Sequence, residues 1–146
     1  MRRWIGLVKL VLDTNVLVSA LLTKGTPPDQ LYQAWKAHRF ALAISTWQIS
    51  ELRRVLSYKK LQPYLNGFEA SLLLENIDSL AQTVEVSAPR TESPDPDDNW
   101  ILASAVESQA DLLVTGDKND LLQLKQIEEI QILNARKALS KISGAG

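Results

Sequence analysis

Asp13, Glu51, Asp98 and Asp117 are the residues whose types and spacing could do chemistry. Asp13 directly follows the apolar run 7–12 (LVKLVL), and Asp117 follows a second run, 111–115 (DLLVT), after a single glycine. Glu51 lies about a turn and a half into one helical pattern, and Asp98 in the first turn of another. Carboxylates brought together repel, and like charges raise a carboxyl pKa. A divalent cation removes that conflict. There is no cysteine, and the one histidine, His38, follows an amphipathic helical pattern and reads as a helix-end or surface residue. Oxygen-only ligation suits Mg²⁺ or Mn²⁺. Such an ion makes water a nucleophile and offsets charge on a phosphoryl group, so phosphodiester hydrolysis is the chemistry expected.

The elements that must position these acids alternate. Strands are expected at 7–12, 40–44, 83–86, 111–115 and 130–133. Helices are expected at 16–22, ended by Lys24-Gly25-Thr26-Pro27-Pro28, and at 29–38, 59–65, 68–80, 99–109, 120–124 and 135–141. A further helix follows Ser45-Thr46-Trp47-Gln48, which has capping-box form: Ser45 caps while Gln48 reaches back. Residues 87–97 read as a polar, proline-rich loop. This alternation implies crossovers and a three-layer α/β/α sandwich, with a central, mainly parallel sheet of about five strands. The carboxyl ends of parallel strands lie along one edge, where ligands bind. Asp13 and Asp117 fall there directly. Asp98 reaches that edge only if its helix begins on the same side, as a right-handed crossover would arrange.

The 146 residues fit one domain, and 45% are hydrophobic, enough for one core. The net charge of −1 excludes a binder held by bulk charge, so any nucleic-acid contact must come from a local patch. Met1-Arg2-Arg3 before an apolar stretch imitates a signal peptide, but Lys9, Asp13 and Asn15 interrupt the run. No stretch approaches a membrane span of about 20 apolar residues. A cytoplasmic protein is the expectation, and whether residues 1–6 are the native start is left open.

Four stretches carry a resemblance: VLDTNVLVSALL at 11–22, ISELRRVL at 49–56, DPDDNWILASA at 95–105 and LLVTGDKNDLL at 112–122. They resemble the PIN domain, in family order and across essentially the whole chain, and most of all the bacterial toxins of toxin–antitoxin pairs. The resemblance implies a parallel sheet flanked by helices and an acidic pocket for Mg²⁺ or Mn²⁺. It also implies single-stranded RNA cleavage by a metal-activated water, a homodimer and a partner antitoxin. Asp13, Glu51, Asp98 and Asp117 match the family's four acids in turn. Asn15 and Thr115 match polar positions that support the first acid and line the pocket. Asp95 and Asp97 lie close enough to shift the register of the third acid, and Asp120 could compete with Asp117.

Plainer readings stand beside these. Asp13 could cap the helix that follows it. Glu51 could pair with Arg54 on a solvated face. Asp95 with Pro96 makes a good helix start by itself, and Thr115-Gly116-Asp117 could be a simple turn. Arg53, Arg54, Lys59 and Lys60 read as a solvated face or as RNA-backbone contacts, and Lys118 as a surface residue or a phosphate contact. Trp4, Trp35, Trp47 and Trp100 read as core or interface, with Trp47 the one to test for base stacking. The function expected is a divalent-metal-dependent endoribonuclease, the toxin of such a pair. Its rivals are an RNA-processing or structure-specific nuclease without an antitoxin, and a catalytically silent binding module. An aspartyl phosphotransferase would want a second acid two residues after Asp13, where Asn15 stands.

Overall fold

The apolar runs become interior strands because both of their faces are covered. In the computed structural model, which describes residues 7–116 and 120–144, β1 (Lys9–Leu12) lies at the centre. It pairs in parallel with β2 (Ala41–Ser45) on one side and β4 (Leu112–Val114) on the other. β3 (Gln82–Val84) pairs with β2, and β6 (Ile130–Leu133) with β4, both in parallel. The order is β3-β2-β1-β4-β6-β5, six strands rather than about five. The additional strand, β5 (Gln126–Ile127), runs antiparallel to β6. Its hairpin turns at Glu128-Glu129, with Glu128 in the left-handed region at φ 53°. No Asn-Gly announces that turn, so no local signal marks the hairpin.

Register sorts the core into two layers. Leu10, Leu42 and Leu112 are aligned on one face. There they pack with α1 (Thr14–Leu22), α2 (Pro27–Lys36), α3 (Thr46–Leu56), α4 (Gly67–Leu80) and α7 (Ala135–Gly144). Val11, Ala43, Leu113 and Ile132 share the other face. They pack with α5 (Pro96–Glu107) and α6 (Asp120–Leu124). The result is a three-layer α/β/α fold. Among the described residues no helix is long and apolar enough to cross a membrane.

Several boundaries differ from expectation for local reasons. Pro27 and Pro28 open α2 instead of ending the preceding helix, since a first-turn residue needs no intrahelical N–H partner. α1 begins earlier than expected, at Thr14, and α5 begins at Pro96, before the helical pattern at 99–109 but where Asp95-Pro96 offers a helix start. Residues Lys59–Tyr64 wind as a 3₁₀ turn containing Pro63. α2 and α5 both stop on a left-handed residue, His38 at φ 63° and Gln109 at φ 57°. After each, two amides bond back into the last turn, His38 to Trp35 and Arg39 to Ala34, then Gln109 to Val106 and Ala110 to Ala105. These closures release the chain directly into β2 and β4.

Candidate active site

The chain lays β2 and β3 on one side of β1 and then places β4 on the other. The switch point of the sheet, where open α/β sheets bind ligands, is therefore between β1 and β4. Two bonds span it. The Asp13 amide donates to the Val114 carbonyl at 2.8 Å, and Thr115 Oγ1 donates to Asp13 Oδ2 at 2.8 Å. Asp13 flanks α1, and its carbonyl accepts from the amides of Val16 and Leu17. Its carboxylate makes no capping bond.

Asp13, Glu51 and Asp98 line one hollow of about 180 Å³, together with Asn15, Asp95 and Asp97. Asp13 is 7% exposed. Burial pushes its carboxyl pKa up to about 6; the Thr115 bond opposes the rise, and the charges of Glu51 and Asp98 add to it. Glu51 is also pushed up by burial, against the bond it accepts from Thr14 Oγ1, and the charge of Asp97 adds to the rise. Asp98 is raised by burial, opposed by its Ser93 bond, with Asp95 and Asp120 adding repulsion. Three carboxyls displaced in one direction describe a hollow that resists negative charge.

Each acid has a support. α3 starts where Ser45 Oγ accepts the Gln48 amide at 3.1 Å. The Gln48 side chain does not reach back to Ser45 as a capping box would. It is fully buried beside β1 and donates to the Leu12 carbonyl at 2.6 Å, tying α3, and so Glu51, to the strand that delivers Asp13. α5 is capped by Asp95, which accepts the Asp97 amide at 2.9 Å. The Ser104 hydroxyl donates to the Ser45 hydroxyl at 2.7 Å, a buried link between α5 and the end of β2. The loop before α5 is locked by Asn99, whose amide accepts from Ser93 N–H and donates to the Ser93 carbonyl, both at 2.9 Å. Ser93 Oγ in turn donates to Asp98 Oδ2 at 3.1 Å. In this way α5 begins at the carboxyl edge and Asp98 reaches the hollow.

Other candidates are placed differently. Asp120 opens α6 and acts on Asp98 through its charge, without lining the hollow. Arg53 is exposed, and Arg54 lies against the Tyr58 ring and donates to its hydroxyl; neither lines the hollow. Trp47 stacks on Trp100, with ring centroids 5.8 Å apart, and packs against the core, so one of its faces is already taken. Asp117 and Lys118 lie outside the described residues. Thr14 and Ser93, which hold two of the acids, carried no signal in the sequence beyond turn chemistry.

The donor set is oxygen only, and its charges crowd a partly buried hollow, which fits a hard divalent cation. Among the described residues no group of three or more acidic or histidine side chains is drawn together to hold an ion. The acids share the lining of the hollow without closing round one point, so an ion there would be held partly through its own waters. The Thr115 bond can be tested without metal. Thr115→Val should raise the Asp13 pKa further above about 6, by roughly one pH unit. Carboxyl-carbon NMR titration reads the change, and an unaltered Asp13 titration would show that the bond does not govern this carboxylate.

Residues 9–119 match the family model of the PIN domain. Over 123 residues the chain is 28% identical to the uncharacterized protein MJ1680 of Methanocaldococcus jannaschii, covering 81% of this chain and 76% of that protein. The crystal structure of PAE2754 from Pyrobaculum aerophilum matches with a TM-score of 0.55 at 20% identity, covering 94% of this chain and 90% of that one. At that identity the likeness speaks for the fold.

Proposed function

The chain belongs to the PIN-domain family, and from that premise we propose that it is a divalent-metal-dependent endoribonuclease acting at the hollow around Asp13. PIN domains are generally nucleases that bind RNA and typically use divalent metals such as Mg²⁺. One observation carries the reading: Asp13, buried at the sheet's switch point, faces Glu51 and Asp98 across one hollow that raises all three carboxyls.

In this proposal Asp13, Glu51, Asp98 and Asp117 hold Mg²⁺ or Mn²⁺. When bound, such a cation lowers the pKa of a water and offsets charge on the phosphoryl oxygens. The chain's own residues do the rest. Thr115 orients the Asp13 carboxylate, Thr14 orients Glu51 and Ser93 orients Asp98. Asp95 and Asp97, on the rim, add negative potential that favours a cation over a bare phosphate. Arg54 moderates the charge on Glu51.

The test is a mixed RNA pool incubated with Mn²⁺, with EDTA and with EDTA followed by excess Mn²⁺, the cut ends being sequenced. Internal cuts are expected only where Mn²⁺ is free; cutting that persists in EDTA removes the metal from the reading. The toxin role extends the proposal on sequence resemblance alone. It requires growth arrest on expression, relieved by the product of a neighbouring small gene. Expression without arrest leaves an RNA-processing nuclease. The homodimer is likewise proposed: Tyr64 and Phe68, 72% and 76% exposed, offer apolar surface to a protein partner. A monomer by light scattering would dismiss it.

A further inference from the structure

Resting on the nuclease reading, we propose that a trough beside the acids carries the RNA strand next to the cleaved bond, and that Arg136 holds a backbone phosphate in it. A second hollow, of about 310 Å³, shares Asn15 with the acid hollow. It is also lined by Thr115, the residue bonded to Asp13. The two spaces therefore meet around the start of α1. A third, of about 370 Å³, shares Pro27 and Arg136 with the second and runs on past Ser140 and Ser143. Among the described residues, no acidic side chain lines the second or the third.

Charge makes such a trough necessary. Among the described residues the acid hollow is lined by five carboxylates and no basic side chain, so without help it repels a phosphodiester. A chain of net charge −1 has no overall field to draw in a polyanion. The attraction must be local. Among the described residues lining these three spaces, Arg136 is the one lysine or arginine. It is exposed and has no ion-pair partner among the described residues. A guanidinium takes two phosphate oxygens at once, which fixes position as well as affinity.

Its support is rigid. Asn134 accepts the Lys137 amide at 2.9 Å and fixes the start of α7. Ala135 and Ala138, 8% and 0% exposed, seat that turn on the core. Across the same hollow, α1 presents Asn15 and Ser19, one turn apart. Both are exposed and make no side-chain hydrogen bond among the described residues. Amide and hydroxyl groups can each donate and accept, and so can address phosphate oxygens and the ribose 2′-hydroxyl. Arg136 is thus a positioning residue, and the strand it holds leads past Asn15 into the acids.

The test is steady-state cleavage of a labelled single-stranded RNA of about 12 nucleotides in Mn²⁺ at several KCl concentrations. Arg136→Ala should raise KM on the order of tenfold with kcat near that of the parent, because the contact serves ground and transition states alike. The salt dependence of kcat/KM should become shallower by about one counterion. Arg136→Lys should keep the parent's salt dependence. Lys137→Ala, on the same exposed turn but outside the trough, should change KM by less than about twofold. A parent that cleaves while Arg136→Ala matches it in KM and salt dependence overturns the trough and leaves the nuclease reading standing. A fall in kcat with KM unchanged overturns it as well. A parent that does not cleave overturns the nuclease reading and this proposal with it.

Discussion

Asp13→Asn is expected to lower RNA cleavage on the order of a thousandfold while leaving the chain fully folded. Asparagine keeps the shape and an oxygen that can accept from Thr115 Oγ1, so the bond across the switch point survives. What is lost is the negative charge at Asp13, which is more buried than Glu51 or Asp98. The same change removes a carboxylate whose ionisation burial opposes. In EDTA above about pH 6 the variant should therefore melt no lower than the parent, and higher if the surroundings relax. An inactive protein of equal or greater stability is an outcome misfolding cannot produce. Should Asp13→Asn cut RNA as fast as the parent in Mn²⁺, Asp13 is not a ligand and the proposed site is elsewhere.

The parts of this fold legible in the sequence are those whose cause is local. β1, β2 and β4 are short apolar runs, buried on both faces, and they read as strands without help from the rest of the chain. Asp13 could be assigned to the carboxyl edge because it directly follows such a run, whereas Thr115, which ends the run 111–115, was marked as a pocket residue only by family resemblance. What could not be read depends on distant partners. Gln48 looked like half of a capping box because its spacing from Ser45 is right, yet its side chain is spent on Leu12, 36 residues away. Glu51 looked free to pair with Arg54 on the same helix, while its Thr14 partner lies 37 residues upstream. β5 exists through pairing with β6 and has no periodicity of its own. Asp98 shows both sides: its helix start was legible from Asp95-Pro96, but its arrival beside Asp13 depends on the Ser93–Asn99 lock.

Adding saturating Mg²⁺ or Mn²⁺ should raise the melting temperature by about 5–10 °C near pH 8 and by about half of that or less near pH 5. The sign follows from the acids. The Asp13 pKa rises from 3.8 unfolded to about 6 folded, so between those values the folded chain binds more protons. Without metal, stability is therefore highest below the unfolded value and falls as pH climbs towards the folded one. Above about pH 6 the full cost of an ionised, buried Asp13 is present, roughly 3 kcal/mol at about 1.4 kcal/mol per pH unit. Glu51 and Asp98 are raised too and act in the same direction. A cation held by the ionised acids offsets that cost, so it must compete with protons as pH falls through about 6. At a hundredfold excess over its Kd, binding contributes about 2.7 kcal/mol. In a chain of this size each kcal/mol moves the midpoint by about 2–4 °C. Asp13→Asn should flatten the metal-free pH dependence and remove most of the metal shift. Calorimetry of both proteins, with and without EDTA, at pH values on either side of about 6 separates the contributions. A metal shift as large near pH 5 as near pH 8, or one fully kept in Asp13→Asn, would place the ion somewhere other than these carboxylates.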